Sequence, residues 1–300
     1  MNPYRSMLFV PGHKSSWAEK AVAAGADALI LDLEDSVPAA DKAEARRTVR
    51  ETIGRLGSQG VRAEVWVRPN SFDSGLFGAD VEEVLVPGLA GLFLPKVFTA
   101  EEIVRIDAVV SHIEQREGHQ AGSIGLIVSF ETAVSMARCE DIAMASPRIS
   151  TLLGATGPNA DVGRELGFDF TPEGLESLYL RSRIIVAARA AGLHHPITGV
   201  WQDLADLDGF RKFAQDNRRL GYRGIVLIHP SHVAIANDVF TPSAETIDFY
   251  RRMIEAFRKA EAQGSAAVDF EGQHIDLAHA KTAEGVIRLA EAIGVKQPSS

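Results

Sequence analysis

Eight short apolar runs rich in β-forming residues alternate with longer segments of helical periodicity, and this alternation limits the architectures open to the chain. The runs occupy residues 6–10 (SMLFV), 28–33 (ALILDL), 63–68 (AEVWVR), 91–95 (GLFLP), 123–130 (SIGLIVSF), 149–155 (ISTLLGA), 196–200 (PITGV) and 224–228 (GIVLI). Between most of them lie amphipathic stretches at 16–24, 40–56, 100–117, 132–145, 171–191 and 204–220. A strand that is apolar on both faces is buried on both faces, and with helices between strands that means a parallel sheet. Eight such units in about 240 residues match a (β/α)₈ barrel in size and count. A doubly wound open sheet satisfies the same periodicity and is the alternative.

The pattern changes after Phe240, so the chain reads as a barrel over 1–240 and a C-terminal extension over 241–300. TPSAETIDFYRRMIEAFRKAEAQG is one long amphipathic helix, followed by a glycine-containing segment and a polar VKQPSS tail. The helix carries an apolar stripe (Ile247, Tyr250, Ile254, Phe257) that must bury against its own barrel or a neighbour, and the extension is expected to act as a lid. With 46% apolar and 24% charged residues, the 300-residue chain has enough apolar content for a sizeable core. A net charge of −9 without a basic block argues against nucleic acid or an anionic membrane surface as partner. MNPYRSMLFVPG has no signal-peptide pattern and no apolar run approaches the roughly 20 residues of a membrane span, so a cytoplasmic location is expected. The single cysteine, Cys139, lies in the helical stretch ETAVSMARCEDIAMA and reads as a packed apolar residue.

In such a barrel chemistry collects where strands end, and these strand ends are rich in functional groups. They read VPGHK, DLEDS, VRPN, LPKV, SFET, GATGPNAD and IHPSH. Acids, an arginine and lysines converge there, with no Cys or His pair at zinc spacing, which points to a hard divalent cation, Mg²⁺ or Mn²⁺, on oxygen ligands. Each residue also has a plain structural reading. Arg68 is either a bidentate clamp on a carboxylate or enolate oxygen, or an ion-pair partner of the DLED acids, and the two can coexist. Glu131 reads equally as a metal ligand or as the start of a helix. Asp161 sits in a loop where turn chemistry competes, and His229 reads as a structural histidine.

Taken together and in order, RSMLFVPGHK, ALILDLEDSVPAADKAEAR, VRPN, LPKV, the ETA of SFETA, LYLRSRIIVAARAAGL, GYRGIVLIHPSHVAIANDVFTPS and GQHIDLAHAKTAEGVIRLA resemble the citrate lyase β-subunit-like branch of the HpcH/HpaI aldolase superfamily, which includes malyl-CoA and citramalyl-CoA lyases. The resemblance implies a (β/α)₈ barrel with a C-terminal extension, a homotrimer, Mg²⁺, and cleavage or formation of a C–C bond β to a CoA thioester, with a small 2-oxo acid as the other product. It makes Glu131 and Asp161 the metal ligands and Arg68 the residue holding the keto acid's oxygen. Asp32, Glu34 and Asp35 would order metal-bound water and pair with Arg68. Asp276 would be the acid/base, delivered by the extension into a neighbouring subunit's site, and Arg5 and Lys14 would lie near the CoA phosphates.

The sequence departs from the family at the sixth strand. The usual G-x-E-D becomes PNAD, so Ala160 stands where an acid is common, and His232 replaces a common glutamine. These changes bear on the substrate more than on the reaction class. Two other readings remain: a metal-dependent aldolase acting on free 2-oxo acids, and a non-catalytic citrate lyase-like subunit.

Overall fold

The structure is a computed structural model and describes residues 3–294; the VKQPSS tail lies outside the described residues. Eight parallel strands close in sequence order: β1 (Ser6–Pro11), β2 (Ala28–Asp32), β3 (Glu64–Arg68), β4 (Leu89–Leu94), β5 (Gly125–Phe130), β6 (Ile149–Ala155), β7 (Ile197–Gly199) and β8 (Gly224–Leu227). β8 pairs with β1, so the sheet is closed and the open doubly wound alternative is excluded. Helices α1 (Ser16–Ala23), α2 (Lys42–Ser58), α3 (Phe77–Val84), α4 (Ala100–Glu117), α5 (Ala133–Ala137), α6 (Cys139–Ala143), α7 (Asp161–Leu166), α8 (Leu178–Ala190), α9 (Leu207–Leu220) and α10 (Val233–Phe240) follow the strands.

The barrel interior is filled by side chains from alternate strand positions, among them Met7, Ile30, Trp66, Phe93, Ile127, Leu153, Ile197 and Val226. Trp66 decides the packing at one level. A Cβ at Gly91 would lie 2.3 Å from its ring, and one at Gly125 2.9 Å, so these two glycines make the space the indole fills. The indole nitrogen donates to Tyr4 Oη at 3.1 Å, and Tyr4 in turn bonds Glu64. A large amphipathic ring is thus buried with its polar atom satisfied.

Local signals explain several helix boundaries. α4 starts at Thr99, whose hydroxyl accepts from Glu102 N at 3.2 Å in a capping box, and it ends at Gly118 with φ 73°. The segment 132–145 departs from the single helix its periodicity suggests: Arg138 leaves helical geometry (φ −123°, ψ 19°), dividing it into α5 and α6. Arg183 of α8 compensates by donating to Ala137 O at 3.1 Å and pairing with Glu140 at 2.7 Å. Cys139 is buried, and burial pushes its thiol up to about 12, which fits an inert packed residue. α8 begins later than the periodicity of 171–191 suggests, because Pro172 and Gly174 (φ 64°) hold a turn before Leu178.

The chain divides into two compact units, one over Tyr4–Asp238 that holds the barrel and one from Val239 that holds the extension. The extension consists of α11 (Ala244–Ala262), an antiparallel hairpin of β9 (Ala267–Phe270) and β10 (Gln273–Asp276), and α12 (Leu277–Ala292). Three of the four stripe residues on α11, Tyr250, Ile254 and Phe257, pack within the extension itself. Phe257 and Met253 pack with Ile275, Ala280 and Ala283, with Tyr250, Ile254, Val268 and Phe270 against them, so the extension builds its own small core. No helix among the described residues is long and apolar enough to cross a membrane.

Candidate active site

Parallel strands bring the ends of β2 and β3 side by side, and the register places Asp32 directly opposite Arg68. The two form a bidentate pair: Arg68 Nε to Asp32 Oδ1 at 2.7 Å and Nη2 to Oδ2 at 2.8 Å. Asp32 also accepts from Glu34 N at 2.9 Å and Ser36 N at 3.2 Å. Burial favours its neutral form, but the Arg68 bonds and charge win and hold its carboxyl below the usual range. The guanidinium lies over the Phe9 ring, 4.6 Å from its centroid. Arg68 is therefore fixed along one edge and on one face, with its remaining edge turned elsewhere.

That edge meets Glu34, whose Oε2 is 3.1 Å from Arg68 Nη1, while Lys96 Nζ holds Glu34 Oε1 at 2.7 Å. Burial pushes the Glu34 carboxyl up to about 7 despite the pull of Arg68 and Lys96. Lys42 fixes the turn below by donating to Leu33 O and Glu34 O, both at 2.7 Å, and to Asn70 Oδ1 at 2.6 Å.

Glu131 directly follows β5, and Asp161 starts the helix after the loop that leaves the neighbouring strand β6. Ser129, two residues earlier on the same face of β5, donates to Glu131 Oε1 at 2.7 Å. The helix-start role belongs to the next residue: Thr132 accepts from Ser135 N at 3.0 Å in a capping box, so Glu131 stays outside α5. Burial raises the Glu131 carboxyl; Ser129 and Arg68 oppose the shift and the Asp161 charge adds to it. Asp161 is the first residue of α7, with Ala160 before it, and it pairs with Arg164, whose side chain is 77% exposed. A surface pair of that kind is weak. The loop ahead of it is tightly held: a Cβ at Gly157 would lie 1.9 Å from Val200 O, and Asn159 (φ 54°) donates to Gln202 Oε1 at 3.2 Å.

Asp32, Arg68, Glu131 and Asp161 line one cleft of about 400 Å³ at the C-terminal end of the barrel, with Trp17, Val200 and Ile228 on its apolar side. The donor chemistry fits a hard divalent cation: two carboxylates that repel each other and line one cleft suit Mg²⁺, which takes one or two carboxylates and fills its other positions with water or substrate oxygens. Among the described residues no group of three His, Cys, Asp or Glu side chains gathers as a metal set, so a site here would rest on these two acids.

Residues 5–230 match the HpcH/HpaI aldolase/citrate lyase family. The chain belongs to that family. It is 35% identical over 97% of its length to the L-malyl-CoA/beta-methylmalyl-CoA lyase of Cereibacter sphaeroides, covering 96% of that protein. It is 34% identical over 98% of its length to citrate lyase subunit beta of Escherichia coli, covering 95% of it. In structure it is similar to CitE from Mycobacterium tuberculosis in complex with magnesium, acetoacetate and coenzyme A, with a TM-score of 0.74, 27% identity, and 97% of this chain and 98% of that one covered. Family membership and the lyases among its relatives make the chain a carbon–carbon lyase.

Not every residue expected at the site is brought there. Asp35 turns outward, its side chain 63% exposed, and meets Lys96 at 3.5 Å rather than Arg68. Arg5 precedes β1 and is bound to Asp27 through Nη2 at 2.7 Å and Nε at 2.9 Å. It thus lies at the N-terminal end of the barrel, a strand length from the cleft, and its position does not support a role beside CoA phosphates. Lys14 is exposed in the turn after β1, at the cleft end. Asp276 lies in the extension, where its carboxylate caps α12 by accepting from Ala278 N at 2.9 Å and meeting His279 Nδ1 at 2.7 Å. His229 is exposed and accepts from Ser231 N at 3.2 Å, whereas His232 is buried and stacks on Phe210 at 4.2 Å. Lys96, Phe9 and Ser129 complete the site without having been singled out as its residues from sequence.

Proposed function

We propose that the protein is a Mg²⁺-dependent lyase that cleaves or forms a β-hydroxyacyl-CoA such as malyl-CoA or citramalyl-CoA, giving acetyl-CoA and a 2-oxo acid. The observation that carries this reading is the fixed Arg68 beside Glu131 and Asp161 on one cleft, in a chain so close over its whole length to a malyl-CoA lyase. In the cleavage direction a base takes the substrate hydroxyl proton, the C–C bond to the thioester α-carbon breaks, and the resulting enolate is reprotonated to the acyl-CoA. Arg68 holds the oxygen that becomes the oxo group, its guanidinium already oriented by Asp32 and Phe9. Glu131 and Asp161 would hold the metal, with Mn²⁺ an alternative, and the metal when bound supplies Lewis-acid polarisation of the same oxygen. Asp32 orients Arg68, and Asp32 and Glu34 accept from ordered water.

The base in this proposal is Asp276, supplied by the extension of a neighbouring subunit in a cytoplasmic homotrimer, with Lys14 at the cleft mouth toward the CoA phosphates. The likeness to citrate lyase subunit beta favours one second reading, a subunit that works within a larger lyase assembly. Incubating the protein with acetyl-CoA, glyoxylate or pyruvate and Mg²⁺, and following the acyl-CoA by mass spectrometry, separates the readings. A glyoxylate or pyruvate adduct of acetyl-CoA supports the CoA lyase; no adduct with either acid contradicts it.

A further inference from the structure

Three of the four directions from which Arg68 can be approached are accounted for: Asp32 occupies the Nε and Nη2 edge, Phe9 the face, and Glu34 Oε2 stands 3.1 Å from Nη1. The last contact is incomplete. Glu34 Oε2 is buried yet accepts no hydrogen bond among the described residues, so it is close to the guanidinium without being aligned to it. A buried carboxylate oxygen beside an arginine would ordinarily rotate to close the pair. Lys96 prevents this by holding the other oxygen, Oε1, at 2.7 Å, and the Glu34 backbone cannot follow because Lys42 pins its carbonyl.

The backbone of Lys96 adds an independent observation. It follows β4 by two residues, next to β3, and adopts φ 49°, a conformation suited to glycine or asparagine. Non-glycine residues in that region concentrate where their side chain has a task. Here the side chain reaches across to Glu34 and is two-thirds buried.

We infer that Lys96 is a positioning residue: by holding Glu34 Oε1, it keeps Oε2 from aligning with Arg68 Nη1, and so leaves that donor available to the 2-oxo acid. The inference rests on the reading of Arg68 as the oxo-acid clamp. Without Lys96, Glu34 closes onto Nη1 and competes with the ligand for the same donor.

The test is titration of the full-length protein with pyruvate and with glyoxylate in Mg²⁺, by calorimetry, alongside kinetics with acetyl-CoA and glyoxylate. Lys96→Met raises the oxo-acid Kd and KM about 10- to 100-fold, the usual cost of losing a supporting partner, with the acetyl-CoA KM and the melting temperature nearly unchanged. Lys96→Arg recovers most of the affinity. Adding Glu34→Gln to Lys96→Met also recovers affinity, because a neutral amide competes poorly for Nη1; a merely structural Lys96 would make the double variant no better than the single one. Unchanged oxo-acid affinity in Lys96→Met, or a double variant that binds no better than Lys96→Met, overturns the inference alone. Wild-type protein that binds neither acid overturns the functional reading and the inference together.

Discussion

Arg68 and Arg148 are both poorly exposed arginines held by two acids, at opposite ends of the same barrel, and they are finished differently. Arg148 precedes β6, at the N-terminal end. It reaches Asp107 Oδ1 at 2.5 Å and both oxygens of Glu114 at 2.8 and 2.6 Å, with Ile124 O and Ser111 Oγ completing its donors. Glu114 accepts in addition from Gly122 N and Ile124 N, both at 2.9 Å. Arg68 ends β3, at the C-terminal end, and its Nη1 and Glu34 Oε2 face each other at 3.1 Å as an ion pair without an aligned hydrogen bond. A network closed on itself fixes loops; one left open at the cleft keeps a donor for a ligand. The contrast follows the division of the barrel into a stabilising end and a chemical end.

The difference is sharpest where the closed network is broken. Arg148→Met strands two acids, one of them fully buried, and costs about 3–5 kcal/mol, read as a fall in the urea midpoint at unchanged slope. Activity per folded molecule stays near that of the parent.

Acid dissects the same network more gently. Arg148 and the two backbone donors, working against burial, hold the Glu114 carboxyl down to about 2 from its usual 4.5. A carboxylate depressed in the folded state stabilises above its unfolded value and loses that contribution as pH falls between about 4.5 and about 2. Roughly 3 kcal/mol disappears over that window, one pKa unit being about 1.4 kcal/mol. Unfolding free energies measured across it in wild type should fall steeply, and in Glu114→Gln should fall less.

Asp276→Asn marks the small end of the stability scale. Asparagine caps a helix about as well as aspartate, so the loss is a few tenths of a kcal/mol. If Asp276 is the base, turnover nonetheless nearly disappears. Mixing Asp276→Asn with Arg68→Lys subunits under exchange then restores part of it, because some sites receive both native residues. Full activity of Asp276→Asn by itself leaves the residue as a cap only.

The barrel was legible because buried parallel strands advertise themselves as apolar runs, and all eight runs became strands. The pairing of Asp32 with Arg68 was legible as an alternative, since both are strand-end residues on neighbouring strands. What periodicity could not deliver was the direction of individual side chains after a strand ends: Glu34 turns in, while Asp35, one residue later, turns out. Arg5 misled for a related reason. It adjoins a motif at the cleft end of β1, but six strand residues carry the chain roughly 20 Å, and Arg5 is on the far side of them. Lys96 left a trace in LPKV, but its left-handed backbone and its hold on Glu34 depend on contacts distant in sequence. The α11 stripe announced burial correctly, but not that a hairpin and α12 of the same extension would receive Tyr250, Ile254 and Phe257.

The central claim is that Arg68 is held open for chemistry rather than closed for stability, and Arg68→Lys tests it most directly. An ammonium keeps a charge beside Asp32 but lacks the planar fork that grips Asp32 and a substrate oxygen together. With acetyl-CoA, glyoxylate and Mg²⁺, the variant should fold with a melting temperature within a few degrees of wild type and lose about 2–4 kcal/mol of transition-state stabilisation, roughly a 30- to 1000-fold drop in kcat/KM. Near-normal kcat/KM in a well-folded Arg68→Lys protein would contradict the account and leave Arg68, like Arg148, a structural ion-pair partner.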